Sequence, residues 1–396
     1  MVRSIKSFAL KNKRVLLRLD LNVPLRDGAV ADDFRIHAAL PTMQYCLESG
    51  ASLVIMSHLG RPKGQVKPDL SLIPVGEKIA EILEMPIKFS DDCISEDALD
   101  VSLGLKPGEI HLLENLRFHE EETSNDPVFS ERLAHHGQIY INDAFGTAHR
   151  AHASNVGVAK QFSYKGIGFL IEKELRYLES VVQRPERPLT MILGGAKIDT
   201  KLALIDRFAE QADYLLIGGG MAFTFLQALG HSVGKSLVDP SMLRTATKIL
   251  QRVQSQRAKL LFPLDVVTAP SLEDGDRAEE HPVEAIPETA MGLDIGSRTV
   301  SLFQDIIHNS KTIIWNGPLG VFEQPGFDQG TRAIAQTLAE LKEGEQITVI
   351  GGGDTAAAVK HFGLMTEMSH VSTGGGASLE LLSGNRLPAI IALETA

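Results

Sequence analysis

The chain has 396 residues, with 39 basic against 50 acidic side chains, a net charge of −11. At ~150 residues per domain that length points to two domains, and 43% hydrophobic with 22% charged residues excludes a disordered chain or a coiled coil. The acidic balance excludes a general electrostatic footprint for nucleic acid, and no apolar run approaches the ~18 residues of a membrane span, so neither partner is expected. Cys46 and Cys93 are too few for a disulfide framework, and MVRSIKSFALKNKR has no apolar secretory core. The expected compartment is the reducing cytoplasm.

Short apolar runs alternate with helical patterns along the whole sequence. In the first half the predicted strands are VLLRLD (15–20), SLVIMS (52–57), IHLLEN (110–115) and IYINDA (139–144). IGFLIEKELRYLESVVQ then carries apolar residues at 167, 171, 175, 178 and 182, the stripe of a helix, and RPERP (184–188) stops it. In the second half the strands are LTMILG (189–194), DYLLIG (213–218), KLLFPL (259–264), TIIWNG (312–317) and ITVIGG (347–352). Runs that are continuous rather than alternating predict sheets buried on both faces, and the intervening helices predict parallel strands. The fold class is therefore α/β, with two doubly wound, Rossmann-like parallel-sheet domains joined by a helix and a cleft between them. The expected spans are 1–170, 171–188 for the connecting helix and linker, and 189–381.

In parallel sheets, ligands bind beyond the C-terminal strand ends. In the second half those ends run into glycine: LGGAKIDTK (193–201), IGGGMAF (217–223), WNGPLGVFE (315–323), IGGGDTAAA (350–358) and STGGGAS (372–378). Glycine lets main-chain N–H groups approach a phosphate, and five such loops point to nucleotide binding rather than to turn geometry alone. Lys197 and Lys201, four residues apart, are expected on one face of a helix start, where cations oppose the helix dipole and favour a bound anion. In the first half the strand ends carry charge instead. RLDLN places Arg18, Asp20 and Asn22 at period two along a strand; His58, Arg61, Arg117, His149, Arg150 and His152 follow other strands, and Arg35 opens a helix. Each arginine alone reads as a surface ion pair, but together they predict a pocket for a small, multiply anionic substrate.

Several motifs fail on context. GHSVG (230–234) follows a helix-like segment, so Ser232 is no nucleophile, and GHSVGKS is one residue short of a P-loop. His149 and His152 show no third metal ligand. Cys46 lies in a helical pattern with Met43 and Leu47 and is expected in the core. GGGDTA (351–356) fits a dinucleotide loop but lacks the acidic residue at the end of the next strand.

RLDLNVP, SHLGRPKG, ENLRFHEEE, NDAFGTAHRAH, GGAKIDTK, IGGGMAFTF, WNGPLGVFE, GGGDT and TGGGAS together resemble the phosphoglycerate kinase family, in its motif order and along the whole chain. The resemblance implies reversible, in-line phosphoryl transfer between ATP and 3-phosphoglycerate, giving ADP and 1,3-bisphosphoglycerate, with magnesium and with domain closure, in a cytoplasmic glycolytic enzyme acting as a monomer. It implies that Asp20, Leu21, Asn22, Arg35, His58, Leu59, Gly60, Arg61, Arg117 and Arg150 hold the phosphoglycerate. Lys201, Glu323 at the ribose, and Gly352, Gly353, Asp354 and Thr355 match the nucleotide site, with Gly292 near the adenine and Asp354 at magnesium. Arg35, Lys197, Gly375 and Gly376, with Gly374 beside them, match the positions facing the transferring phosphoryl group. The family also returns its C-terminal segment, here 382–396, to the first domain. Leu21 stands where phenylalanine is common, and Ile198-Asp199-Thr200 varies a changeable stretch. The competing readings are a dehydrogenase using GGGDTA, tested by nicotinamide titration, and a non-catalytic nucleotide sensor, tested by turnover.

Overall fold

The computed structural model describes residues 2–341 and 344–394; positions 1, 342–343 and 395–396 of the spans expected above lie outside the described residues. The chain divides into two compact units, one running to Arg176 and resuming at Asn385, the other spanning Tyr177–Gly384.

The first unit is built on a six-stranded parallel sheet in the order Ile87–Ser90, Ile110–Leu113, Ser52–Met56, Arg14–Arg18, Ile139–Asn142, Lys165–Ile167. Every residue of Ser52–Met56, Ile110–Leu113 and Ile139–Asn142 is buried, as a sheet covered on both faces requires. Val15, Leu17, Leu53 and Ile55 pack against Ile36, Met43 and Cys46 of the Phe34–Glu48 helix, which puts Cys46 in the core as expected. The strand order reverses around Arg14–Arg18: the chain moves to Ser52–Met56 on one side and later to Ile139–Asn142 on the other. The crevice of such a sheet opens at the carboxyl ends of those strands. The helix Pro388–Leu393 also belongs to this unit; Ala389 N–H donates to the Ala148 carbonyl (3.1 Å), and Leu393 is buried.

The second unit has a parallel sheet in the order Lys259–Leu261, Tyr214–Ile217, Leu189–Leu193, Thr312–Asn316, Ile347–Gly351, His370–Val371. Its switch point is the exit of Leu189–Leu193. A three-stranded antiparallel sheet of Glu279–Pro282, Asp265–Ala269 and Met291–Ile295 adds to this unit. The sequence reading expects only parallel strands and omits these three. Their residues are short, polar or glycine-containing runs that give no continuous apolar signal.

The connecting helix is Phe169–Gln183. Its buried apolar residues are Ile171, Leu178 and Val181, whereas Leu175 and Val182, expected in the stripe, are only partly buried. Its first turn is held from within the first unit. Phe169 N–H donates to Thr42 Oγ1 (2.9 Å), Ile171 N–H to Asp143 Oδ1 (2.9 Å), and Thr42 Oγ1 to Asp143 Oδ2 (2.5 Å). Burial pushes the Asp143 carboxyl up to about 7, against those hydrogen bonds.

Candidate active site

The first unit gathers its charges at the switch point. The strand Arg14–Arg18 ends before Asp20 and Asn22, so these two sit in the following loop and not on a strand face. The loop is tied to its neighbour: Leu21 N–H donates to Ser57 Oγ (3.0 Å), whose hydroxyl donates to the Leu19 carbonyl (2.9 Å). Asp20 accepts from Arg35 Nη1 (2.6 Å), and Asn22 Oδ1 accepts from Gly60 N–H (2.8 Å). Arg117 Nη1 donates to the Gly60 carbonyl (2.7 Å). Gly60 therefore joins Asn22 to Arg117 through its two backbone groups, at φ +61°, a conformation that side chains disfavour. Leu21 and Leu59 point their side chains into the core, leaving only their backbone available.

A cavity of about 560 Å³ is lined by Arg61, Lys63, Arg117, Arg150 and His152, with Glu120 at its wall. Lys63 joins the three arginines and His152, which the sequence places at strand ends; the pattern RPKG carried Lys63 without distinguishing it from a solvated lysine. Burial, and then the nearby guanidinium of Arg150, push Arg117 down to about 10. His58 is buried beside Arg18 (Nδ1 to Nη2, 3.3 Å), and burial followed by Arg18, Arg117, Arg35 and Arg150 hold it well below the usual histidine range. It is a neutral imidazole at pH 7. Arg18, expected at a strand end facing the pocket, is fully buried and lies behind it, donating to Ser154 Oγ (2.8 Å). Ser154 in turn donates from Oγ (2.7 Å) and N–H (2.9 Å) to the buried carboxylate of Glu122, a counter-charge that the sequence reading did not find.

In the second unit, backbone bonds stitch the glycine loops together. Gly194 N–H donates to Asn316 O, Gly195 N–H to Pro318 O, Gly219 N–H to Leu319 O and Met221 N–H to Gly195 O, all within 2.8–3.1 Å. They frame a cavity of about 410 Å³ whose walls include Gly195, Gly219, Gly292 and Gly320, with the carboxylates of Glu323 and Asp354. Gly292 lies where any Cβ would collide with the ring of Phe223, so its hydrogen is what lets that ring close the cavity wall. Glu323 and Asp354 are exposed.

Behind this cavity Lys201 Nζ donates to Asn316 Oδ1, and the Asn316 amide nitrogen is buried without a hydrogen-bond partner. Gly352 passes against that amide, where a Cβ would lie 3.0 Å from Nδ2. A buried donor without an acceptor is costly, and an anionic ligand atom would satisfy it. Burial lowers the Lys201 ammonium and Asp354 opposes that shift. Asn316 is the residue that sequence reasoning missed, although WNG at a strand exit was its signal. Thr355 is buried, and its hydroxyl oxygen accepts from Gly317 N–H (2.6 Å), bracing the neighbouring loop.

The family model for phosphoglycerate kinase matches residues 5–385. The chain belongs to the phosphoglycerate kinase family. A curated relative from Trichodesmium erythraeum, named phosphoglycerate kinase, is 47% identical over 99% of this chain and 98% of its own. Another of that name, from Rippkaea orientalis, is 49% identical over 96% of each chain. Among solved structures, phosphoglycerate kinase from Coxiella burnetii is 38% identical with a TM-score of 0.90, covering 99% of both chains. That from Pyrococcus horikoshii is 32% identical with a TM-score of 0.86, over 99% of this chain and 98% of its own.

Within this family fold, two expected groups stand apart from the 410 Å³ cavity. Lys197 is exposed in the loop before the Asp199–Lys201 turn and the Leu202–Gln211 helix, so the shared helix face expected for Lys197 and Lys201 does not exist. Buried Ile198 and the backbone bonds of Gly194 and Gly195 delay the helix start. Gly374, Gly375 and Gly376 form the entry to the Gly375–Leu382 helix, where Gly374 N–H donates to Ser372 Oγ (3.1 Å). Ser232 lies beyond the Met221–Ala228 helix, outside any strand-to-helix elbow.

Proposed function

We infer that the chain catalyses phosphoryl transfer between ATP and 3-phosphoglycerate, giving ADP and 1,3-bisphosphoglycerate. One observation carries the reading: a single chain of this family holds a cavity ringed by Arg61, Lys63, Arg117 and Arg150 in one unit and a glycine-framed cavity beside Asn316 and Lys201 in the other. The cationic cavity takes the phosphate of 3-phosphoglycerate, because guanidinium forks match phosphate oxygens bidentately. Asp20, Asn22 and Gly60 hold the surrounding loops, and Asp20 aims Arg35. Neutral His58 adds a hydrogen-bonding group without further charge repulsion among the arginines.

The nucleotide lies with its base against Gly292 and Phe223 and its ribose at Glu323. Its magnesium is part of the substrate; the exposed Asp354 carboxylate fits a hard, oxygen-seeking cation that neutralises phosphate charge. Lys201 and Asn316 Nδ2 face the phosphates, while Lys197 and the amides of Gly374, Gly375 and Gly376 serve the transferring group. Phosphoryl transfer needs alignment and charge neutralisation more than covalent help. It requires the acceptor oxygen within roughly 3–3.5 Å of in-line geometry, and closure of the units on both substrates, which also excludes water, meets that need.

Two buried cysteines outside any disulfide suit a cytoplasmic setting, and the reading needs no second chain. No helix of the described residues is long and apolar enough to cross a membrane. A coupled assay with ATP, magnesium and 3-phosphoglycerate tests the proposal. Turnover is expected; none from folded protein that binds both substrates would overturn it.

A further inference from the structure

The loop after Ile87–Ser90 and the turn after Ile110–Leu113 bring together a carboxylate oxygen of Asp92, the thiol sulfur of Cys93 and a ring nitrogen of His119, all within 4.8 Å of one another. No such set is legible in the sequence, because His119 lies far along the chain from the adjacent Asp92 and Cys93.

The three groups are already oriented. Asp92 Oδ1 accepts from Ile94 N–H (2.6 Å) and Ser95 N–H (2.9 Å), which leaves Oδ2 facing His119 Nε2 at 3.2 Å. The His119 ring lies 5.3 Å from that of Phe129. Cys93 is buried, whereas the side chains of Asp92 and His119 keep 37% and 24% exposure, so the cluster opens to solvent on their side.

The Asp92 carboxylate beside the thiol draws a dication towards the sulfur, and a bound dication favours the thiolate.

We infer that Asp92, Cys93 and His119 form a binding site for a thiophilic divalent cation of the zinc class, separate from the magnesium that travels with the nucleotide. Thiolate with imidazole selects zinc or cobalt over magnesium, and three protein ligands leave a fourth position for water. On binding, the Cys93 S–H bond breaks, the sulfur lone pair forms the metal bond and that proton leaves to solvent. The neutral His119 ring takes the other tautomer, its hydrogen passing from Nε2 to Nδ1 so that the Nε2 lone pair is free to coordinate. The ion ties the 91–95 loop to the Leu116–Phe118 turn that carries Arg117, and so stiffens one wall of the cationic cavity.

The test is titration of chelator-stripped full chain with Co²⁺, without nucleotide or magnesium. One equivalent is expected to raise a near-ultraviolet thiolate-to-cobalt band that Zn²⁺ then removes. The band is expected to survive Cys46→Ala and vanish in Cys93→Ala. Affinity is expected to rise about tenfold per pH unit, since one proton is released. Because replacing a buried cysteine can unfold the chain, His119→Gln provides a second arm. Zn²⁺ is expected to raise the melting temperature of the unsubstituted chain, with at least a tenfold loss of Zn²⁺ affinity in this variant. No cobalt band, a band persisting in Cys93→Ala, or equal Zn²⁺ affinity in His119→Gln would each overturn the proposal.

Discussion

Arg35 is held at one end by Asp20 (2.6 Å), with its side chain still 32% exposed, so the guanidinium is aimed while keeping donors for a ligand. On the proposed function, Asp20 fixes a charge that is worth most when the transferring phosphoryl group spreads its own over three oxygens. Arg35→Ala is expected to lower kcat by ~10³, the scale of a transition-state arginine, with little change in nucleotide affinity. Steady-state kinetics with a separate nucleotide titration checks both parts. A kcat within a few-fold of the unsubstituted chain would return Arg35 to a simple ion pair with Asp20. Asp354 makes the opposite case: an exposed carboxylate at the wall of the glycine-framed cavity. Asp354→Ala is expected to weaken binding of the magnesium nucleotide at least tenfold while binding of metal-free nucleotide changes little. Calorimetry with and without magnesium separates the two.

Between elements, packing sets what single residues can do. Gly292 on the Met291–Ile295 strand leaves space for Phe223 of the Met221–Ala228 helix, so Gly292→Ala is expected to push that ring into the cavity. KM for ATP is expected to rise at least several-fold and KM for 3-phosphoglycerate to stay. A second junction joins three elements of the first unit through one hydroxyl. Ser102 of the Glu96–Leu103 helix contacts His111 Nδ1 (2.8 Å) and His136 Nδ1 (2.6 Å), while His111 Nε2 meets Ser90 Oγ (2.8 Å). Burial lowers both imidazoles to about 4. Both are neutral in the fold, whereas an unfolded histidine titrates near ~6.5. Their contribution is therefore complete above about 6.5 and is lost as pH falls from there towards 4, as the unfolded chain takes up protons that the folded chain refuses. Chemical denaturation of the first unit's signals between pH 7 and 5 is expected to show this decline. Ser102→Ala is expected to cost ~1–3 kcal/mol at pH 7 by stranding ring nitrogens. The strands most visible in the sequence, such as Ser52–Met56 and Leu189–Leu193, are those buried on both faces, where all positions but Ser52 and Thr190 are apolar. Ile87–Ser90, with an exposed Lys88, and Glu279–Pro282, with exposed Glu279 and Glu280, offered no such run. The arginines of the cationic cavity were legible because strand ends in a parallel sheet share one rim. Glu122 and the His119 cluster depend on contacts across loops, which no local spacing encodes, whereas Asn316 had the WNG strand exit as its only signal.

At the scale of the molecule, a chain of net charge −11 concentrates positive field by setting Arg61, Lys63, Arg117 and Arg150 around one cavity, an arrangement that suits the proposed anionic acceptor. The local attraction of these cations predicts that affinity for 3-phosphoglycerate falls with ionic strength, since exposed charges are screened within ~8–10 Å. The two cavities belong to different compact units, each with its own sheet. A ligand that binds the native state suppresses local opening of the segments it contacts. Each substrate alone is therefore expected to write its own pattern in hydrogen exchange. 3-Phosphoglycerate is expected to slow exchange in 57–64, 115–120 and 147–157, and magnesium ADP in 194–201, 217–223, 315–323 and 351–356. Protection by 3-phosphoglycerate confined to the glycine loops would exchange the assignments of the two cavities. Protection of all these segments by either ligand alone would mean that one substrate suffices to order both units, and the division of binding between the cavities would then not limit loading.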